Sequence, residues 1–176
     1  MRGQRLGAAI GAVGGLLFVL INAGALGGTG SVILRVLGVT GFVAVCWYAI
    51  VRTRSWPVGP PPAVHAIRVY WICVAAMVLA IPLGAQVFLR ALDRPELTPV
   101  WVVLVVGAHF IPFARAFGAP VFAWLGLALV AVALLGGVGT VAYGPVAASL
   151  TAVVAGFLLL AAACTAGRRA SVAPGP

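Results

Sequence analysis

The chain has 176 residues, 64% of apolar types and only 7% charged, against about 25% charged in an ordinary soluble domain. Its formal net charge of +9 comes from arginine alone, with no lysine, and Asp93 and Glu96 are its only carboxylates. So few polar groups cannot cover a folded chain in water, which excludes a soluble globular domain and makes a lipid bilayer the expected partner. Nucleic acid is excluded as a partner, because the arginines stand singly or in pairs at the ends of apolar runs and form no basic stripe.

A spanning helix needs about 20 mostly apolar residues, and six segments qualify. The expected fold is all-α, a single six-helix transmembrane domain over residues 1–167 with a disordered cytoplasmic tail at 168–176. All six must be helical, since an open strand leaves backbone groups unpaired in lipid.

The first span covers residues 6–26. Gly7, Gly11 and Gly15 recur every four residues and give one face a smooth groove. Such a face suits close packing against another helix of the same chain better than a homodimer seam. Arg2 and Arg5 before this run and Ala23-Gly24-Ala25 at its end also resemble a secretory signal with its cleavage site. Its full spanning length favours an uncleaved helix. Asn22 lies near its outer end. Gly27, Gly28, Thr29 and Gly30 then make a tight turn, which is no phosphate loop because no strand precedes it and no G-K-[ST] follows.

The second span covers 31–51 and carries Arg35. A loop over 52–66, stiffened by Pro57, Pro60, Pro61 and Pro62, leads to the third span at 67–89. Gln86, Arg90 and Asp93 are spaced by four and three, which lines them along one face and lets Arg90 pair with Asp93. With Asn22 and Arg35 they can form an outward polar vestibule, although solvation of a helix end is the preferred reading.

The fourth span, 99–117, holds the main candidate site, Gly107-Ala108-His109-Phe110-Ile111-Pro112-Phe113-Ala114-Arg115. His109 lies near mid-membrane, where ionisable residues are rare and face the protein interior or a water path. Pro112 lacks an amide hydrogen and frees the carbonyl of Ala108, so a kink beside the imidazole can bind a polar ligand. The preferred alternative is that His109 fixes packing through a helix carbonyl. Arg115, on a different face, is expected to snorkel to the cytoplasmic headgroups.

The fifth and sixth spans cover 120–138 and 143–166, joined through 139–142. Cys46, Cys73 and Cys164 each fall inside an apolar run without a C-x-x-C pair or metal-ligand spacing, so they read as packing residues. Eight arginines (2, 5, 52, 54, 68, 115, 168 and 169) fall on one side of six alternating spans, and Arg35, Arg90 and Arg94 on the other. This places both termini in the cytoplasm. The arginine-only usage, with abundant Ala, Gly, Val and Pro, has the look of a bacterial sequence, and the expected location is the inner or plasma membrane.

The motif Gly107-Ala108-His109-Phe110-Ile111-Pro112-Phe113-Ala114, followed by Phe117, resembles a G-x-H-F-x-P-x-A-x-x-F pattern of small multi-pass bacterial membrane proteins with no assigned function. The resemblance covers one helix. It implies a shared fold and a special role for His109 and Pro112, and it supplies no activity.

No metal, cofactor or enzymatic activity is expected. Metal-dependent headgroup transfer needs several carboxylates, intramembrane proteolysis two buried Asp, and a thiol relay paired cysteines. A cation-coupled pump needs a buried carboxylate. The leading expectation is a structural or accessory membrane protein. The alternative is a small carrier or ligand-binding protein using His109 at the Pro112 kink, with a polar path toward Gln86 and Asn22. The sequence leaves open whether the chain has a protein partner or forms homo-oligomers.

Overall fold

The computed structural model describes the backbone of residues 2–51 and 64–166 and the side chains of residues 7–48 and 64–164. The loop prolines from Pro57 to Pro62, Arg52, Arg54 and the tail with Arg168 and Arg169 lie outside the described residues, as do the side chains of Arg2 and Arg5. Among the described residues there is no strand. The helices are α1 (Arg2–Asn22), α2 (Gly28–Val51), α3 (Val64–Gln86), α4 (Thr98–Ala116), α5 (Pro120–Tyr143) and α6 (Pro145–Ala166). Each is the core of a segment long and apolar enough to cross a membrane. This is the architecture of a multi-pass membrane protein.

The connections are tighter than the sequence suggests. The turn after α1 is a short 3-10 helix, Ala23–Leu26, and Gly27 alone separates it from α2, which already includes Gly28, Thr29 and Gly30. The expected break at 139–142 is helical: α5 runs through Gly139 to Tyr143, and Gly144 alone precedes α6. In lipid, unwinding at a glycine strands backbone donors and acceptors, so the helix persists. It ends where Gly144 takes φ 76°, donates its amide to the Thr140 carbonyl, and is followed by Pro145 at the first position of α6.

The α4–α5 turn shows the same logic in full. Gly118 takes φ 59°, the Ala119 amide reaches the Ala114 carbonyl, and the Phe117 amide reaches that of Phe113. This left-handed cap satisfies the last carbonyls of α4, and Pro120 starts α5 where a missing amide hydrogen costs nothing. The end of α3 is less regular. Val87–Ala91 widens into a π turn, Asp93 takes the left-handed position (φ 51°), and Pro95–Leu97 forms a single 3-10 turn before α4.

Contacts divide the chain into two units, Met1–Pro61 with Gly156–Pro176, and Pro62–Ala155. In the first, α1 packs on the C-terminal half of α6 at Gly15 and Gly156. A Cβ on Gly15 would lie 2.7 Å from the Gly156 carbonyl oxygen, and one on Gly156 would lie 2.6 Å from that of Gly15. Of the regular glycine series, Gly11 faces Ala163 at ordinary contact distance, while Gly7 faces open space. Ala12, Val45, Leu160 and Ala163 form the buried core here, with Phe42 and Phe157 against it.

In the second unit α4 packs on α5 and α3 on α4. A Cβ on Gly107 would meet Leu129 Cβ and the Val130 amide nitrogen at 2.9 Å, and one on Gly126 would meet the Gly107 carbonyl oxygen at 2.8 Å. Gly136 of α5 leaves room for the Thr151 side chain of α6, which any Cβ there would strike. The buried positions are largely Ala, Val and Gly, while Ile21, Trp71, Trp124 and Leu135 are turned outward. That inversion is expected in lipid, where small residues let helices approach and large apolar ones face the acyl chains.

Gly107→Leu should therefore lower stability in detergent by about 1–3 kcal/mol, the usual range for overpacking. Gly7→Leu should leave it unchanged, and equal unfolding midpoints for the two variants would contradict this packing.

Candidate functional site

His109 sits on α4 seven residues before its C-terminal end and is half-buried. Its Nδ1 lies 2.6 Å from the Val106 carbonyl oxygen. A carbonyl only accepts, so Nδ1 carries the hydrogen and donates. The partner is neither the Ala108 carbonyl freed by Pro112 nor a neighbouring helix. Side chains in a helix lean toward its N-terminus while carbonyls point toward its C-terminus, so His109 meets a carbonyl one turn back and Ala108 directs its own away.

The imidazole is framed by aromatic rings. Its centroid is 4.3 Å from that of Phe110 and 5.0 Å from that of Phe113, the latter edge to face. Phe113 is buried and stacks at 5.6 Å on Tyr70 of α3, while Phe110 stacks at 5.9 Å on Phe122 of α5. Phe117 closes the group against Phe113. Offset and edge-to-face rings each contribute about 0.5–1.5 kcal/mol beyond area burial, so this cluster locks α3, α4 and α5 around the C-terminal turns of α4. Arg115, two residues past Phe113 and hence about 200° round the helix, is exposed.

Within the unit that holds His109, Gln86 does not converge on it. Tyr70 faces Phe113 and Trp101 faces Ala80, so α3 and α4 are antiparallel. Exposed Gln86 is then roughly 15–20 Å along the axis from the level of His109 at 1.5 Å per residue. Asn22 belongs to the other unit and donates to the Phe18 carbonyl of its own helix at 2.9 Å. Arg35 folds back on the turn after α1, placing a guanidinium nitrogen 2.7 Å from where a Gly24 Cβ would sit. The line of Gln86, Arg90 and Asp93 along one face is lost, because the π turn resets the register and Asp93 leaves the helix. Arg94 pairs with Glu96 at 3.6 Å, in place of the expected Arg90–Asp93 contact, and is the one ion pair among the described residues.

Two features were missed by sequence reasoning. Thr140 and Thr151 are buried at the α5–α6 crossing, and each donates at 2.7 Å to a carbonyl four residues back, Gly136 and Ala147. Trp101 of α4 donates its indole N–H to the Ala80 carbonyl of α3 at 2.9 Å, and its ring lies directly on Gly84. The signal was present as Pro82-Leu83-Gly84 inside an apolar run, a proline that loosens a turn followed by a residue with no side chain.

No protein-family model matches the chain, and no curated protein or solved structure matches it.

Trp101→Phe should lower stability by about 0.5–1.5 kcal/mol through loss of the indole hydrogen bond. Gly84→Val should lower it further, since the new side chain takes the place of the ring. An unchanged unfolding midpoint for both variants would show that the α3–α4 contact lies elsewhere.

Proposed function

We propose that the protein is a non-enzymatic structural or accessory component of a bacterial inner or plasma membrane, with both termini in the cytoplasm. The observation that carries this reading is the fate of polar side chains at membrane depth. Asn22, His109, Thr140 and Thr151 each bond a carbonyl of their own helix within four residues. A carrier needs such groups turned toward one another or toward a shared water path, and here each is satisfied at home. The aromatic cluster round His109 supports the same reading, since it fits a packing role for the imidazole.

A reagent that reaches only water tests this. In a cysteine-free background, His109→Cys should resist a membrane-impermeant thiol reagent from both sides of the membrane. Rapid labelling from either side would overturn the structural reading and favour a small carrier with its site at His109 and Pro112.

The orientation rests on the eight-to-three division of arginines. Reporter fusions at Gly59 and Gly175 should read cytoplasmic and one at Glu96 external. An external reading at Gly175 would reverse the assignment.

A further inference from the structure

The first turn of α2 holds hydrogen-bond donors that no protein atom takes. The Gly27 amide donates to the Gly24 carbonyl at 3.3 Å, and the Ser31 amide to the Gly27 carbonyl at 3.2 Å. Between them, the amides of Gly28, Thr29 and Gly30 meet no acceptor among the described residues. A Cβ added at Gly27, Gly28 or Gly30 would have nothing within 4 Å, so the turn stands clear of other side chains. α2 runs for 24 residues, and its dipole places partial positive charge at this end.

Two side chains single this helix end out. Ser31, the fourth residue of α2, is only 7% exposed, yet its hydroxyl has no hydrogen-bond partner among the described residues. No fully enclosed side-chain oxygen is left unpaired there, so the exposure that Ser31 keeps includes its hydroxyl. A helical side chain leans toward the N-terminus of its helix, which directs this hydroxyl to the turn of free amides. Arg35 lies one turn further on, on the same side of α2. It leans the same way, with a guanidinium nitrogen 2.7 Å from where a Gly24 Cβ would sit. The Gly24–Gly27 and Gly27–Ser31 hydrogen bonds hold Gly24 against the first turn of α2, so the guanidinium is brought to that turn as well. Asp93 and Glu96, the only acidic side chains, belong to the other unit, and Arg35 forms no ion pair among the described residues.

Amide, hydroxyl and guanidinium donors all suit phosphate oxygens. The turn joins two apolar spans, Gly7–Leu26 and Gly28–Tyr48, which puts it at the bilayer surface with the lipid phosphates. We propose that the first turn of α2 binds the phosphate of an anionic phospholipid. The free amides and the Ser31 hydroxyl donate to its oxygens, and Arg35 pairs with its charge. A headgroup that also carries an ammonium finds no acidic side chain in this unit to receive it, so a net anionic lipid is preferred. The site is separate from His109 and does not depend on the structural or carrier reading above.

The test is native mass spectrometry of the full chain in detergent, offered phosphatidylglycerol or phosphatidylethanolamine at equal concentration. Phosphatidylglycerol should be retained about tenfold over phosphatidylethanolamine, equivalent to about 1.4 kcal/mol. Arg35→Gln should remove that preference, and Ser31→Ala should reduce it about threefold, the loss of one hydrogen bond. Arg90→Gln, which removes the same charge elsewhere, should leave it unchanged. Equal retention of the two lipids by the unsubstituted protein would overturn the proposal. Equal losses in Arg35→Gln and Arg90→Gln would overturn it too, by showing diffuse attraction to positive charge. If Arg35→Gln does not fold, an undiminished preference in folded Ser31→Ala protein would overturn the placement at α2. Inorganic phosphate offered alone at the same concentration should leave the unfolding midpoint of lipid-free protein unchanged, while phosphatidylglycerol raises it. An equal rise with phosphate alone would overturn the lipid as its source.

Discussion

Close approach of one helix backbone to another is the constraint on which the structure depends. Lipid tails are as apolar as Leu or Val, so burying those side chains against each other yields little, and association rests on contact at short range. At Gly15 and Gly156, and again at Gly107 and Gly126, a methyl group would overlap the backbone of the opposing helix. These positions fix how near the axes come. The exposed Leu, Ile and Trp side chains follow as a consequence, because they are excluded from the seams and welcome in the bilayer.

The same solvent governs the polar atoms. A hydroxyl, amide or imidazole in hydrocarbon needs a partner, and the nearest acceptor is a carbonyl on the same helix. Asn22, His109, Thr140 and Thr151 all take that solution. Trp101 differs, because its indole crosses from α4 to α3 and is held by the space above Gly84. Its hydrogen bond ties two helices together, alongside the cohesion that comes from shape and from stacked rings.

The six spans were legible because length and hydropathy alone reveal them in lipid. Their ends were legible where turn chemistry was read, as at Gly118-Ala119-Pro120, and mistaken where glycine was treated as a breaker, as at Gly139. The pair Gly144-Pro145 held the correct signal, a left-handed cap followed by a helix-starting proline. The candidate site was legible only as residues. His109 and its closeness to Phe113 follow from helical spacing, but Tyr70 and Phe122 come from other helices, and no periodicity within α4 reveals them. The π turn that separates Gln86, Arg90 and Asp93 has no signature in a run of apolar residues, so a face drawn from ideal geometry was lost.

The pairing of Gly15 with Gly156 has a consequence for the order of events in synthesis. Of the described helices, α1 is made before the others, yet its glycine-to-glycine contact is with α6, which follows α2 to α5. Chains generally settle as they are made, early segments first, yet here α1 must wait in the bilayer until the ribosome has delivered α6. During that interval its glycine face is bare, able to meet any other small-residue helix nearby. Nascent chains halted before residue 156 would thus be the ones most exposed to wrong partners and to quality-control proteases, even though residues 62–155 can already be in place.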